Sequence, residues 1–338
     1  MLVTGAAGFI GFHLSRRLLE SGARIVGFDN VNDYYDVSLK HERLRILNKY
    51  GRFTFVKGDL ADDGAVRRVF DAFKPRVVAH MGAQAGVRYS ITNPRAYIDS
   101  NLVGFFNILE AVRRAAESGG SPVEHLLYAS SSSVYGNQQK VPFSTSDDVS
   151  EPVSLYAATK KSNELMAYSY SKLYGLPVTG LRFFTVYGPY GRPDMAYYSF
   201  AEKITRGDSI QVFNNGDMYR DYTYVDDVVG CIVRMLDNPP ACDPPAKVYN
   251  IGNHRPERLT DFIDTLENAL GAKAAREYMP MQPGDVYQTY ADVTDLARDF
   301  DYKPDTPITT GLKRFADWYL NRKSEQKRCD QSTGFHTN

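Results

Sequence analysis

Val3-Thr4-Gly5-Ala6-Ala7-Gly8-Phe9-Ile10-Gly11 opens the chain, and the fold class turns on it. Residues 1–4 are a short apolar run, as a strand buried on both faces requires. Gly5, Gly8 and Gly11 come next at a spacing of three, and residues 12–19 carry apolar side chains at helical intervals. Strand, glycine turn and helix together make a cradle for a dinucleotide. The first glycine allows the tight turn. The second lets the backbone approach a pyrophosphate, and the third lets the helix pack close to the strand. The helix N-terminus attracts the anion, and Phe9 and Ile10, between the second and third glycines, are cofactor-binding candidates with them.

Working outward, residues 23–28 read as a second strand ending at Asp29, 18 residues beyond Gly11. An acid at that distance meets the ribose hydroxyls and repels a 2′-phosphate, which points to NAD rather than NADP. Asn30 and Lys40 are candidates for the adenosine side, with a solvated loop as the alternative for Lys40. Residues 52–57 read as the third strand. Asp59 and Leu60 come after it, and Asp59 either accepts from the adenine amino group or caps the helix predicted over 65–73. Residues 77–81 read as the fourth strand, leading into His80-Met81-Gly82-Ala83-Gln84-Ala85-Gly86-Val87-Arg88. Small residues such as Ala83 there suit a close cofactor approach. Arg88 either reaches an anionic ligand or forms a surface ion pair.

A helix is predicted over 101–116 and a fifth strand over 124–129. The strand runs into Ser130-Ser131-Ser132-Ser133, either a polar turn or part of a site. Tyr156-Ala157-Ala158-Thr159-Lys160 then opens a helix extending to about residue 174. Tyr156 and Lys160 are four apart and share a helical face. An ammonium beside a phenol favours the phenolate, as a nicotinamide cation nearby would. Such a base suits hydride chemistry at a carbinol.

A sixth strand is predicted over 176–184, then a glycine- and proline-rich loop over 185–194. Helices are predicted over 199–206, 259–270 and 308–320, and the stretch from Arg220 to Asp227 opens another. Short strands are predicted over 211–213 and 247–252. Residues 282–285 read as a loop, and the polar stretch 321–338 as a disordered tail.

Composition sets the outer limits. The chain has 338 residues, of which 43% are hydrophobic, enough for a sizeable core. Forty basic and forty acidic residues balance, so no basic face for nucleic acid is implied. Cys231, Cys242 and Cys329 are an odd, sparse set without metal-ligand spacing. They suggest a reducing cytoplasm and no disulfide framework. The chain enters a strand at once, so no signal peptide is expected. No apolar run reaches about 18 residues, so no membrane span is expected. No metal constellation emerges from the six histidines.

These motifs, in this order, resemble the extended short-chain dehydrogenase/reductase family over residues 1 to about 320. Within it the chain is most like the nucleotide-sugar 4-epimerases, in particular the UDP-glucuronate branch. His80 to Ser90 resembles the family's Ala-Gly-Val-Arg segment, although Met81-Gly82 departs from the usual Leu-Ala. Ser130 to Gly136 resembles its serine-rich strand end. Arg182-Phe183-Phe184-Thr185-Val186-Tyr187-Gly188-Pro189-Tyr190-Gly191-Arg192-Pro193-Asp194-Met195-Ala196 resembles the glucuronate branch itself.

The resemblance implies an α/β fold: a Rossmann doubly wound parallel sheet with a smaller C-terminal α/β substrate-binding domain. It implies an NAD-binding part over 1–182 and a mainly UDP-sugar part over 183–320, partly interleaved. It implies NAD-dependent 4-epimerisation of UDP-glucuronate to UDP-galacturonate through a 4-keto sugar. Tyr156 would be the base, and Lys160 would hold it and the nicotinamide ribose. Ser131, with Ser132 as second choice, would bond the C4 oxygen. Thr185 and Arg192 would hold the sugar carboxylate. Arg220, Asp285 and Gln282 would hold the diphosphate and uridine ribose, with Arg88 and Gln211 also on the substrate side. Glutamine at 282 departs from the arginine some relatives carry. Homodimers built from helices at about 101–116 and 156–174 are implied as well.

Alternatives share the base and the cofactor. A 4,6-dehydratase would need an Asp-Glu pair where Ser132-Ser133 stand, and a UDP-glucuronate decarboxylase a glutamate in the same segment. A UDP-glucose/galactose 4-epimerase would leave Thr185 and Arg192 without a purpose. An NAD-binding regulatory protein would not need both Tyr156 and Lys160.

Overall fold

Seven strands form one parallel sheet, and their ends hold most of the candidate site residues. In chain order they are β1 (Leu2–Thr4), β2 (Ile25–Asp29), β3 (Phe53–Lys57), β4 (Val77–His80), β5 (His125–Ser131), β6 (Val178–Phe183) and, after three strands outside this sheet, β10 (Ala246–Ile251). Their spatial order is β10-β6-β5-β4-β1-β2-β3. The structure, a computed structural model, describes residues 1–117, 122–281 and 286–333. The inner strands β1 and β6 are buried along their whole length. The edge strand β3 is partly exposed, as only an edge can be. This is the doubly wound α/β fold the sequence implies. The order reverses between β1 and β4, and a ligand crevice forms outside the strand ends at such a reversal.

Helices α1 (Phe9–Glu20), α2 (Val37–Leu47) and α3 (Asp63–Phe73) come after β1, β2 and β3. After β4 come two single-turn helices, α4 (Tyr89–Thr92) and α5 (Pro94–Tyr97). A π-helical turn, Ile98–Val103, then leads into α6 (Gly104–Glu117), so the helix predicted from Asn101 begins in a wider turn. Helix α7 (Leu155–Tyr174) starts where Ser154 accepts from the Ala157 amide and ends at Gly175 in the left-handed region.

The second half adds β7 (Thr185–Tyr187), α8 (Ala196–Arg206), β8 (Ser209–Phe213), β9 (Tyr219–Tyr224), α9 (Val225–Leu236), β11 (Pro256–Arg258), α10 (Leu259–Leu270), β12 (Ala275–Met279), α11 (Thr294–Phe300) and α12 (Ile308–Thr333). Strands β11, β9 and β7 form a small sheet, and β12 pairs with β8. Strand β10, from this half, pairs with β6 in the large sheet.

Three expectations differ. The stretch from Arg220 is strand β9 before it becomes helix α9: Tyr-Arg-Asp-Tyr-Thr-Tyr favours a pleated surface, and β9 finds partners on both sides. The loop expected over 185–194 begins as strand β7. The tail expected to be disordered from 321 continues helix α12 through Thr333. Its charged residues are good helix formers, and Arg322 reaches back to Glu42 on α2 at 2.8 Å while Lys323 bonds Thr205 at 2.7 Å.

Candidate functional site

A cleft of about 500 Å³ runs along the strand ends, from the β1 turn to the β7–β9 region. All thirteen residues expected to bind the cofactor line it. So do Ser131, Ser132, Thr185, Arg192 and Arg220.

The cofactor side is built by the β1 turn. Gly5 has φ +67, and a Cβ there would press on the Gly82 backbone at 2.7 Å. A Cβ on Gly11 would run into the Gly5 carbonyl. No side chain caps α1 at Gly8, and its first turn carries no acid, so its amides are left for an anion. The Asp29 carboxylate accepts from Ala7 N at 3.1 Å and Val31 N at 2.8 Å, which fixes it at the cleft edge. Asn30 Nδ2 bonds Asp59 Oδ2 at 2.9 Å. Residues of this kind fit a dinucleotide.

Two alternatives fall here. Asp59 does not cap α3, because Asp62 does, accepting from Ala65 N at 3.1 Å. Lys40 is not in a solvated loop. It is buried on α2, with Nζ bonding Asn32 O at 2.7 Å and Asn32 Oδ1 at 2.6 Å, and burial lowers its pKa.

Across the cleft, the four serines separate. Ser130 Oγ turns away to Glu164 Oε1 at 2.7 Å, within a buried ion pair between Glu164 and Arg182. Ser131 Oγ accepts from Ser133 N at 3.2 Å and donates to Ser133 Oγ at 3.1 Å, and it stands near enough to the Tyr156 phenol to favour the phenolate. Ser132 lines the cleft in a tight 3-10 turn. Ser131 is therefore the serine at the phenol.

The electrostatics differ from the expectation that lysine lowers the phenol. Burial raises the Tyr156 pKa, opposed by the Ser131 hydrogen bond and the Arg192 charge. Lys160 is 2% exposed, and its Nζ donates to Ala129 O at 2.9 Å. Burial lowers its pKa to about 7.

On the substrate side, Arg192 makes a fork to Asp194, at 3.0 Å from Nε and 2.8 Å from Nη2. Tyr34 adds a hydroxyl to Asp194 at 3.2 Å. Arg220 bonds the carbonyls of Tyr219 at 2.9 Å and Tyr287 at 3.1 Å. Arg88 and Gln211 do not line the cleft: the Arg88 guanidinium lies 5.5 Å over the Phe213 ring, and Gln211 is exposed on β8 opposite Glu277. Gln282 and Asp285 lie outside the described residues.

Sequence reasoning missed Asn101. From the π-helical turn its side chain accepts from Gln84 N at 2.8 Å and donates to Gln84 O at 3.0 Å and Thr159 Oγ1 at 3.1 Å. It pins the β4 exit against α7 close to Tyr156 in the chain. An asparagine at the head of an apolar helical pattern is its only signal in the sequence. Tyr34, inside a polar loop, had none. Among the described residues, no cluster of potential metal ligands occurs and no helix is long and apolar enough to cross a membrane.

Comparison with known proteins agrees with this geometry. The family described as NAD dependent epimerase/dehydratase matches residues 1–252. Protein CapI of Staphylococcus aureus is 53% identical over 334 residues, covering 95% of this chain and 98% of that one. A probable UDP-glucuronate 4-epimerase of Rhizobium meliloti is 44% identical over 333 residues, covering 94% and 96%. The crystal structure of UDP-glucuronic acid 4-epimerase from Bacillus cereus, in complex with UDP-glucuronic acid and NAD, superposes with a TM-score of 0.86 at 31% identity, covering 95% and 99%.

Proposed function

The chain belongs to the NAD dependent epimerase/dehydratase family, and from that premise we propose that it interconverts UDP-glucuronate and UDP-galacturonate by inverting C4, with NAD as cofactor. One observation carries the choice of sugar. Arg192 opens into the cleft that holds Tyr156, near enough for its charge to favour the phenolate. A guanidinium there suits a sugar carboxylate, whereas a neutral hexose offers it no anion.

NAD held by the β1 glycine turn, Asp29 and Lys160 would supply a hydride acceptor and donor for C4. The side chains do the rest. Tyr156, as phenolate, takes the C4 hydroxyl proton and later gives it back. Ser131 steadies the phenol and the C4 oxygen together. Lys160, anchored on Ala129, holds the nicotinamide ribose. The oxidised sugar is a β-keto acid, and it loses CO2 when its C5–C6 bond aligns with the carbonyl π system. Arg192 and Thr185 hold the carboxylate out of that alignment. No net redox remains. Ser132 and Ser133 provide no acid for dehydration.

Arg220, with Asp285 and Gln282, takes the diphosphate and uridine ribose in the same proposal. Residues 1–182 serve mainly the cofactor and 183–320 mainly the sugar nucleotide, and the return of β10 to the large sheet supports their interleaving. A homodimer through α6 and α7 is supported by exposed Phe106, Leu165, Tyr168 and Leu173 on those helices. A cytoplasmic setting is supported by the free thiols of Cys231 and Cys242.

Proton NMR of the purified protein with UDP-glucuronate and no added NAD tests the reading. An equilibrium mixture with UDP-galacturonate, without CO2, is the expected result. A UDP-pentose product, or no change even with NAD added, overturns it.

A further inference from the structure

Arg43 is a fully enclosed cation on α2, 0% exposed, and among the described residues no carboxylate pairs with it. Its Nε has no hydrogen-bond partner. Its other nitrogens bridge two turns. Nη1 donates to Ala7 O at 2.7 Å, inside the glycine turn, and to the Tyr35 hydroxyl at 2.7 Å. Nη2 donates to Tyr190 O at 2.7 Å and Gly191 O at 3.2 Å, the two residues before Arg192. A buried charge satisfied by carbonyls and one phenol is costly to keep, so its position calls for a reason.

The reason lies in what holds Arg192. Its guanidinium bonds Asp194 and the Met195 sulfur, both within the same turn. The ion pair therefore travels with the backbone of that turn. The turn is unfavourable by itself: Tyr190 has φ 55, in the left-handed region that a bulky residue avoids. Its carbonyls are held from the cofactor side, with His13 on α1 bonding Pro189 O at 2.8 Å and Arg43 on α2 holding the next two. Tyr35 bonds Arg43, while its neighbour Tyr34 bonds Asp194.

We infer that Arg43 is a positioning residue for carboxylate selectivity. It fastens the turn bearing Arg192 to the glycine turn and so sets where the specificity guanidinium stands. The inference rests on the carboxylate role proposed for Arg192.

A double-mutant cycle on the holoprotein tests it, with calorimetric affinities for UDP-glucuronate and for UDP in an inactive Tyr156→Phe background. Arg43→Lys keeps the charge but not the fork. It is expected to weaken UDP-glucuronate about tenfold while UDP changes by less than about twofold. With Arg192→Ala already present, Arg43→Lys should cost UDP-glucuronate less than about a further twofold. In the active protein, Arg43→Lys should also raise the fraction of UDP-pentose formed. Equal weakening of both ligands, or a tenfold loss that persists without Arg192, overturns the inference. Should Arg43→Lys fail to fold, Tyr35→Phe removes one anchor and decides by the same ratio, with a smaller selective loss expected and an equal loss overturning it. If Arg192→Ala alone weakens both ligands equally, the carboxylate reading itself falls. If Arg192→Ala is selective and the Arg43 variants are not, the inference alone falls.

Discussion

Ser131 stands at the Tyr156 phenol and favours its phenolate, whereas Lys160, one helical turn on from Tyr156, donates to the Ala129 carbonyl. The phenol is thus tuned by a strand-end serine and by Arg192 against its own burial. Turnover that needs the phenolate rises with pH as Tyr156 loses its proton. Ser131→Ala removes a hydroxyl that favours the phenolate, so the rising limb of kcat/KM against pH should move upward by about half to one pH unit. A limb that stays in place would remove Ser131 from that role. Tyr156→Phe should abolish turnover while the protein keeps its bound NAD, read by absorbance after denaturation.

Lys160 links function to stability. Its pKa in the fold is lowered to about 7, against about 10.4 in an unfolded chain. Between those values the unfolded chain binds more protons, so stability rises with pH across the window, and the full cost is present below pH about 7. Lys160→Met removes that cost. Despite one lost hydrogen bond to Ala129, it should raise the apo protein's Tm at pH 7, with the gain shrinking toward pH 10. A lower Tm at pH 7, or a gain that does not change with pH, would contradict this account.

Arg192→Ala should weaken UDP-glucuronate by about 10- to 100-fold, the range for losing a charged hydrogen-bonded partner, while UDP binding is nearly kept. It should also shift products toward a UDP-pentose with CO2 release, measured by NMR. Equal losses for both ligands would mean that the arginine only caps its own turn through Asp194.

The proposed dimer has a simple check. Leu165 is 57% exposed on α7, far from the burial of a core residue. Leu165→Glu places a charge in the α6–α7 face and should convert the protein to a monomer by light scattering. A mass unchanged from the parent at every concentration tested would move the interface elsewhere.

The large sheet and the cofactor turn were legible because their signals are local. Gly5 needs a positive φ that glycine accepts, and Asp29 ends its strand directly. The Leu259–Leu270 helix was bounded correctly by its apolar period and terminal glycine. Strand β9 was misread because its aromatic alternation depends on the partners β7 and β11, which are distant in sequence. The α12 extension was misread because its polar residues carry no core pattern, and contacts such as Arg322 with Glu42 lie 280 positions apart.

The residues proposed for the site could be picked out from the chain alone: the glycine turn, Asp29, the serines, Tyr156, Lys160 and Arg192. Backbone sterics and helical spacing are enough to put each at a strand end, on a helix face or in a loop. Which serine meets the phenol, which atom Lys160 serves, and how Arg43 carries the Arg192 turn came only with the packed fold. Those are hydrogen bonds between segments far apart in the chain. Their geometry, and the burial that moves the pKa values of Tyr156 and Lys160, exist only once the segments pack.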